Sequence, residues 1–288
     1  MPRTSRVSPS PCLAALAVLA VVGCGGTSDV PHDMGRDQLD LGAIITPPPC
    51  GGLGTARYRI TALHIPTAVD VSQGRRVGHN VDGTGTTCGV EDFPGGVDNA
   101  LIDLSSELTT FTPPDGGFDF QAAIDAALNC PADAEPTTCT RLELFVSVHS
   151  GTACAVVAFE DGEGATLAGP AVGSLDGSGG LRLQAEGLAL SIPAHTQAGV
   201  VSIDLAVSNL VMTATVGASE LSDLVLGGFI ERSAFETLMM ELLPALGDGV
   251  TFSDVAPLLE DLYDVELGGM CSGLSLGFTG AATLVASP

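Results

Sequence analysis

Val201-Ser202-Ile203-Asp204-Leu205-Ala206-Val207-Ser208 decides the fold class. Four aliphatic residues alternate with four small or polar ones, and successive side chains on an extended strand point to opposite faces. One face therefore meets a core and the other meets water, as in an antiparallel sheet solvated on one side. Working outward, residues 181–185, 188–192 and 210–216 are similar runs, separated from one another by Gly, Pro and Asn. Upstream, Leu142, Leu144, Val146 and Val148 alternate with Glu143, Phe145, Ser147 and His149, and residues 154–159 are the expected partner strand. Residues 58–69 read as a strand at the start of the body, and residues 274–285 as a strand at its end.

Elsewhere the apolar spacing becomes helical. Residues 98–108 place Leu101, Leu104 and Leu108 on one face behind Asp98 as cap, and residues 118–128 do the same with Phe120, Ile124 and Leu128 behind Asp119. Ser233-Ala234-Phe235-Glu236 has the form of a capping box. Leu238, Met239, Leu242 and Leu243 line the helix that follows, and Pro244 is expected to stop it. Ser253 is the expected cap of a last helix striped by Val255, Leu258, Leu259 and Leu262. Strands in meanders with grouped helices, rather than regular β-α-β alternation, predict an α+β fold. Its form is an antiparallel β-sheet or sandwich with helices packed on one side, disulfide-stabilised. No repeat occurs at solenoid or propeller period.

The charge is lopsided: 34 acids face 10 Arg and no Lys, for a formal net charge of −24. Such a surface repels nucleic acid, so no nucleic-acid partner is expected. Without Lys there is no P-loop lysine and no Schiff-base chemistry. Mean hydropathy is +0.39, which raises the question of membrane spans. The apolar run at residues 13–22 is too short to cross about 30 Å of hydrocarbon and has the length of a signal core. Residues 267–288 form the other long uncharged run, but five Gly and a Leu274/Leu276/Phe278 alternation mark it as strand.

Arg3 and Arg6 precede that signal core, and Leu19-Ala20-Val21-Val22-Gly23-Cys24-Gly25-Gly26 follows. This stretch resembles a lipobox, the cleavage and acylation signal of bacterial lipoproteins. The resemblance implies a signal peptide at residues 1–23, lipid on Cys24 and a membrane-anchored place in the cell envelope, facing periplasm or exterior. Residues 24–49, rich in Gly, Asp, Pro and Ser and ending in Pro47-Pro48-Pro49, read as a flexible tether. Residues 50–288 are then a single domain. A weaker resemblance, to uncharacterised predicted lipoproteins of high-GC myxobacterial type, rests on Gly96-Val97-Asp98-Asn99-Ala100-Leu101 and the Asp/Gly-rich loop before it. It implies no catalytic residue.

Cysteine usage agrees with export. Beyond Cys12 and Cys24, six remain: Cys50, Cys88, Cys130, Cys139, Cys154 and Cys271. An even number in an exported domain predicts three disulfides, with fifteen pairings open. Cys130 and Cys139 flank a short polar loop and form the best local pair; Cys50 with Cys271 would close the domain on itself.

The loop at residues 80–91 holds the most suggestive ligand set. Asn80, Asp82, Thr84 and Glu91 fall at positions 1, 3, 5 and 12 of a calcium loop, with Gly85 at the turn. Ca²⁺ is the one candidate cofactor. The departures are Asn at the first position, Thr at the fifth and the absence of a preceding helix. Gly273-Leu274-Ser275-Leu276-Gly277 matches the nucleophile elbow G-x-S-x-G, but no Asp, Glu or His follows Ser275, so the match reads as two glycines on a strand. Five scattered His show no zinc spacing. The expected function is a lipid-anchored, non-catalytic binding or structural protein with an envelope or extracellular partner. The alternatives are a hydrolase hidden among the carboxylates and a carrier of a hydrophobic ligand.

Overall fold

Alternation closes a ring. The computed structural model describes residue 50 and residues 54–86, 88–111, 118–135, 138–196, 199–246 and 251–285. The readings placed on residues 1–49, namely the leader, Cys24 and the tether, lie outside the described residues. The first strand, β1 (Gly54–His64), is followed by a short helix α1 (Ala68–Ser72), then α2 (Leu101–Phe111) and α3 (Phe120–Leu128). Six strands come next: β2 (Phe145–Ser150), β3 (Cys154–Glu160), β4 (Thr166–Leu175), β5 (Gly180–Thr196), β6 (Gly199–Val216) and β7 (Glu220–Glu231). Helices α4 (Arg232–Leu246) and α5 (Phe252–Leu259) precede the final hairpin of β8 (Val265–Leu267) and β9 (Met270–Val285).

All pairings are antiparallel, in the order β1-β2-β3-β4-β5-β6-β7-β9-β8, and β9 pairs again with β1 through Arg57↔Val285 to His64↔Thr279. Eight strands thus form a closed barrel, with β8 as a flap on β9. Closure removes the open edges that invite aggregation. The expected α+β antiparallel class holds, in closed rather than sandwich form. Tyr58, Ile60, Val146, Val157, Phe159, Leu183, Met212, Leu226 and Phe278 share one core inside the ring. Arg57, Glu160, Arg182, Thr213 and Asp204 sit on the opposite faces of the same strands. This apolar-in, polar-out alternation is the reverse of a transmembrane barrel. No helix among the described residues is long and apolar enough to cross a membrane.

The four central runs are two strands. The breaks at Gly187 and Asn209 lie side by side, where Gly187 pairs with Ser208 and Asn209 takes φ 50°. Both strands slip there by one residue, which keeps Leu188, Leu190, Ile203 and Leu205 on the face already used by Leu183 and Met212. Helices α2, α3 and α4 pack on that face, α3 against β1 and β5 and α4 against β6, β7 and β9.

Several expected boundaries move. The strand at 58–69 ends at His64, because Pro66 lacks a donor and Thr67 begins α1 through a capping box with Asp70. Asp119 caps α3 as expected, accepting from Ala122 N at 2.9 Å. Asp98 does not cap α2, which begins three residues later. Arg232 already starts α4 directly after β7, so Ser233 lies within its first turn. The helix runs past Pro244, whose missing N–H frees the carbonyl of Met240 on a side exposed to water. The cap of α5 is Thr251, whose N–H and hydroxyl both donate to Asp254, rather than Ser253.

Three cystines cross-link the body. Cys130–Cys139 is present as expected. Cys50 joins Cys154 and Cys88 joins Cys271, with Cα atoms 5.9 and 5.5 Å apart, in place of the expected Cys50–Cys271 link. Sheet register explains the first: Gly54 pairs with Ser150, which brings the chain before β1 to the start of β3.

Candidate functional site

Between α1 and α2 the chain lies as a strap, residues 77–100, across the outer face of β7 and β9. Small residues in the sheet allow it to sit close. A Cβ on Gly277 would stand 2.6 Å from both Asn99 Nδ2 and Val77 O, and one on Gly227 3.0 Å from the His79 ring. Only glycine fits at position 277. Asn99, 2% exposed, donates to Val77 O at 2.6 Å and to Gly277 O at 3.3 Å, and accepts from Gly277 N at 2.9 Å. Its amide thereby imitates a neighbouring strand on a face that has none.

Buried polar groups cluster along this seam: His79, Asp98, Asn99, Asp264 and Ser275. Each has a partner, as burial demands. Ser275, fully buried on β9, donates its hydroxyl to Asp264 and accepts Ala100 N at 2.8 Å, while its own N–H donates to Asp264 Oδ1 at 2.8 Å. The amide of Ala100 is one of those left over at the start of α2, so this relay fixes where the helix begins. Asp98 accepts from Val81 N at 2.6 Å and Asp82 N at 3.4 Å, which explains why it is unavailable as a helix cap. The His79 ring lies 3.2 Å from Val225 O through Nε2, which as the partner of a carbonyl carries the proton. Asn209 secures the strap from below, donating to Val81 O at 2.6 Å.

Burial sets the protonation of these groups. Desolvation pushes Asp98 up to about 8, opposed by the Val81 N–H and reinforced by the carboxylates of Asp82, Asp92 and Asp264. Asp264 rises to about 6 by burial, against the bonds from Ser275. His79 falls to about 4, through burial and then the adjacent Arg76 guanidinium, whose Nη2 is 3.4 Å from Nδ1.

The residues singled out in the sequence are distributed unevenly over this seam. Of the candidate calcium ligands, Asn80 spends Oδ1 on Gly83 N and Asp82 spends Oδ1 on Thr84 N, closing local turns. Thr84 and Glu91 are exposed. Asp92 feels the repulsion of Asp82 and in turn raises Asp98, and its Oδ2 is buried without a hydrogen-bond partner. No group of three His, Cys, Asp or Glu side chains gathers as a metal site among the described residues. Ser275 lies on a strand with both hydroxyl roles used and no surface for a substrate, so G-x-S-x-G here is a packing motif. Cys88 joins the strap to β9 through Cys271.

Three spaces stand out among the described residues. An apolar cavity of about 30 Å³ lies between α2, α3, α4 and the sheet, lined by Leu104, Phe120, Leu205, Phe235, Met239 and Leu276 among others. A groove of about 220 Å³ runs between α3 and β5 beside Ala122, Ala126, Pro193 and His195. An open pocket of about 420 Å³ lies on the outer face of the barrel beside Arg76 and Arg182. None of the three is lined by Asp98 or Asp264.

No protein-family model matches the chain, and no curated protein or solved structure is significantly similar to it.

Asp264 gave no warning in the sequence, and Ser275 stood out only as the centre of a G-x-S-x-G match. A second signal was the run Gly96-Val97-Asp98-Asn99-Ala100-Leu101, whose Asp-Asn pair opens onto a helix. It looks like a cap, whereas Asp98 accepts from Val81 N and Asp82 N within the strap and Asn99 bonds Gly277 of the sheet.

Proposed function

We propose that this chain is a lipid-anchored protein of the cell envelope, held through Cys24, whose body has a non-catalytic binding or structural role towards an envelope or extracellular partner. The observation that carries the reading is the pairing of all six cysteines of the body into three cystines, two of them between residues more than one hundred positions apart. Such cross-links persist in oxidising compartments and are rare in the cytosol. A second support is that the best-placed reactive groups, Ser275, Asp264 and His79, hold the strap to the sheet. Replacing Cys24 by Ser tests the anchor. The variant is expected in the soluble fraction without an acyl label, and equal membrane retention of both proteins would refute the anchor.

Calcium stays in this proposal on the sequence of residues 80–91 alone. Calorimetry with EDTA and with millimolar Ca²⁺ tests it: a melting temperature raised by several degrees supports the ion, and identical curves remove it.

The hydrolase alternative has one observation in its favour, the two desolvated carboxylates Asp98 and Asp264. They lie 1% and 5% exposed along the seam of strap and sheet rather than in a cleft. Turnover of an ester or glycoside lost in Asp264→Asn would revive that reading. For a hydrophobic carrier, a cavity of about 30 Å³ has room for about two waters and none for an acyl chain, so lipid extraction by the purified body is expected to yield nothing.

A further inference from the structure

Closure protects the ring, but the β5–β6 hairpin runs on beyond it. β7 leaves β6 at Phe229↔Ser208, and β4 meets β5 only at Ser174↔Arg182 and Leu175↔Leu181. From Leu188↔Val207 to the closing pair Thr196↔Gly199, the two strands have only each other as ladder partners among the described residues. A closing pair across a two-residue turn exchanges both of its backbone hydrogen bonds, and such pairs recur at every second residue. Val201, Ile203 and Leu205 therefore spend their N–H and C=O groups on β5. Those of Val200, Ser202, Asp204 and Ala206 point to the open side, where no backbone group of another element bonds them among the described residues. Helix α4 meets the inner face instead, where Phe235 and Met239 line the same small cavity as Ile203 and Leu205. Ser202, Asp204 and Ala206 are exposed, and Val200 is 49% exposed. We propose that this edge of β6 pairs with the same edge of a second copy of the chain, antiparallel about a two-fold axis at Ile203, so that two hairpins make one four-stranded sheet.

Three observations converge on it. First, the two edges of the hairpin differ. The open side of β5 carries Pro193, whose missing N–H falls on the edge, and Pro193 and His195 there face α3 across a groove. Proline is a usual means of blunting an edge. From Gly199 to Ser208, β6 has no Pro and no Arg, and its ladder runs without a bulge from Gly199 to Ser208. Second, the edge is complementary to itself. Centring the pair on Ile203 sets Ser202 opposite Asp204 of the second copy and Val200 opposite Ala206 of the second copy, each of them twice. A hydroxyl then meets a carboxylate, an exposed valine covers a methyl group, and the open backbone groups exchange about eight hydrogen bonds. Centring on Asp204 would oppose two carboxylates, so the register is selected. Third, charge selects the occupant. In a chain of net charge −24, this stretch holds the single acid Asp204. A basic partner would find one carboxylate here, whereas a second copy, repelled by most of the surface, meets the least repulsion.

Sedimentation equilibrium of the purified full-length protein, with Cys24→Ser to remove lipid as a cause of association, tests the proposal. A monomer–dimer equilibrium is expected between about 1 and 200 μM, and it should tighten as added salt screens the repulsion between copies. Ser202→Pro removes an N–H that points to the open side and costs no ladder bond within the chain. Ser202→Asp sets a carboxylate opposite Asp204 of the second copy. Each is expected to weaken the dimer by about tenfold or more. Ala189→Asp adds the same charge at an exposed position on β5, away from that edge, and is expected to weaken it by less than about threefold. Hydrogen exchange locates the contact. The amides of Val200, Ser202 and Asp204 are expected to exchange about tenfold slower in concentrated than in dilute protein, while those of Val201, Ile203 and Leu205 are protected in both. A chain that stays monomeric throughout that range overturns the proposal. So does a dimer that leaves the open-side amides unprotected, since its interface then lies elsewhere. Equal weakening by Ser202→Asp and Ala189→Asp overturns it as well, because repulsion would then be diffuse.

Discussion

The β5–β6 hairpin is built into the barrel and the strap at residues 77–100 lies across its outer face, and the two are held by opposite means. The hairpin works by repetition. Leu190 faces Leu205, Ile192 faces Ile203, and each inward residue adds burial at about 25 cal/mol per Å² of apolar surface. Its outward residues, Ser202 and Asp204, meet water. The strap lacks any such period. It is held by single contacts placed at particular points: Asn99 on Gly277, Ala100 on Ser275, Val81 on Asn209 and Cys88 on Cys271. Loss of one member of the hairpin leaves a cavity but no unsatisfied group. Loss of one member of the seam leaves an orphaned polar partner, which costs about 1–3 kcal/mol and falls on the strap alone.

The largest way to break this comparison is to cut the strap's covalent tie. Cys88→Ala with Cys271→Ala opens a loop of 183 residues and is expected to lower unfolding free energy by about 5 kcal/mol on chain-entropy grounds. Removing Cys130–Cys139, nine residues apart, is expected to cost about half that, and denaturant titration of the two variants ranks them. Ile203→Ala in the hairpin is expected to cost about 2–5 kcal/mol through an ordinary cavity. Gly277→Ala adds one methyl where Asn99 and Val77 leave no room, and is expected to cost about 1–3 kcal/mol. Hydrogen exchange separates them. Gly277→Ala should lose protection first in the strap, Ile203→Ala in β5 and β6, and the same pattern in both would erase the distinction.

The smallest effect is a pH slope. Asp98 carries a folded-state pKa raised to about 8 above its usual value near 4, so the folded protein holds this proton longer than the unfolded chain. Its contribution is therefore full below about pH 4 and is lost as pH rises through about 8. Asp264 behaves likewise but has finished by about 6, and His79, lowered to about 4, loses stability only as pH falls below about 6.5. Between pH 6.5 and 8 Asp98 sets the slope, at most about 1.4 kcal/mol per unit. Asp98→Asn, which keeps an acceptor for Val81, is expected to flatten it. An unchanged slope would remove Asp98 from the account.

What could be read from the sequence follows the same division. The alternation at residues 201–208, the Asp119 cap and the Cys130–Cys139 pair are local features, and each appears as expected. The strand β7 was illegible because its stretch from Leu224 to Ile230 is buried on both faces, by the core inside and by Val81, His79 and Val265 outside. Without a wet face there is no alternation to detect. Strand β4 was missed because Gly, Ala and Pro dominate it. The roles of Asp98, Asn99 and Ser275 depend on partners up to 178 residues away, which no local spacing encodes. Asn80 and Asp82 each spend an oxygen on their own turn, a use that ligand spacing does not encode.

Mass spectrometry of the protein isolated from membranes, intact and as non-reduced peptides, tests the central claim most directly. That claim is an exported, lipid-anchored and fully cross-linked body. The predicted result is a chain beginning at Cys24 with a lipid on its sulfur, and the pairs Cys50–Cys154, Cys88–Cys271 and Cys130–Cys139. A chain that retains residues 1–23, or any free thiol among those six, would contradict it.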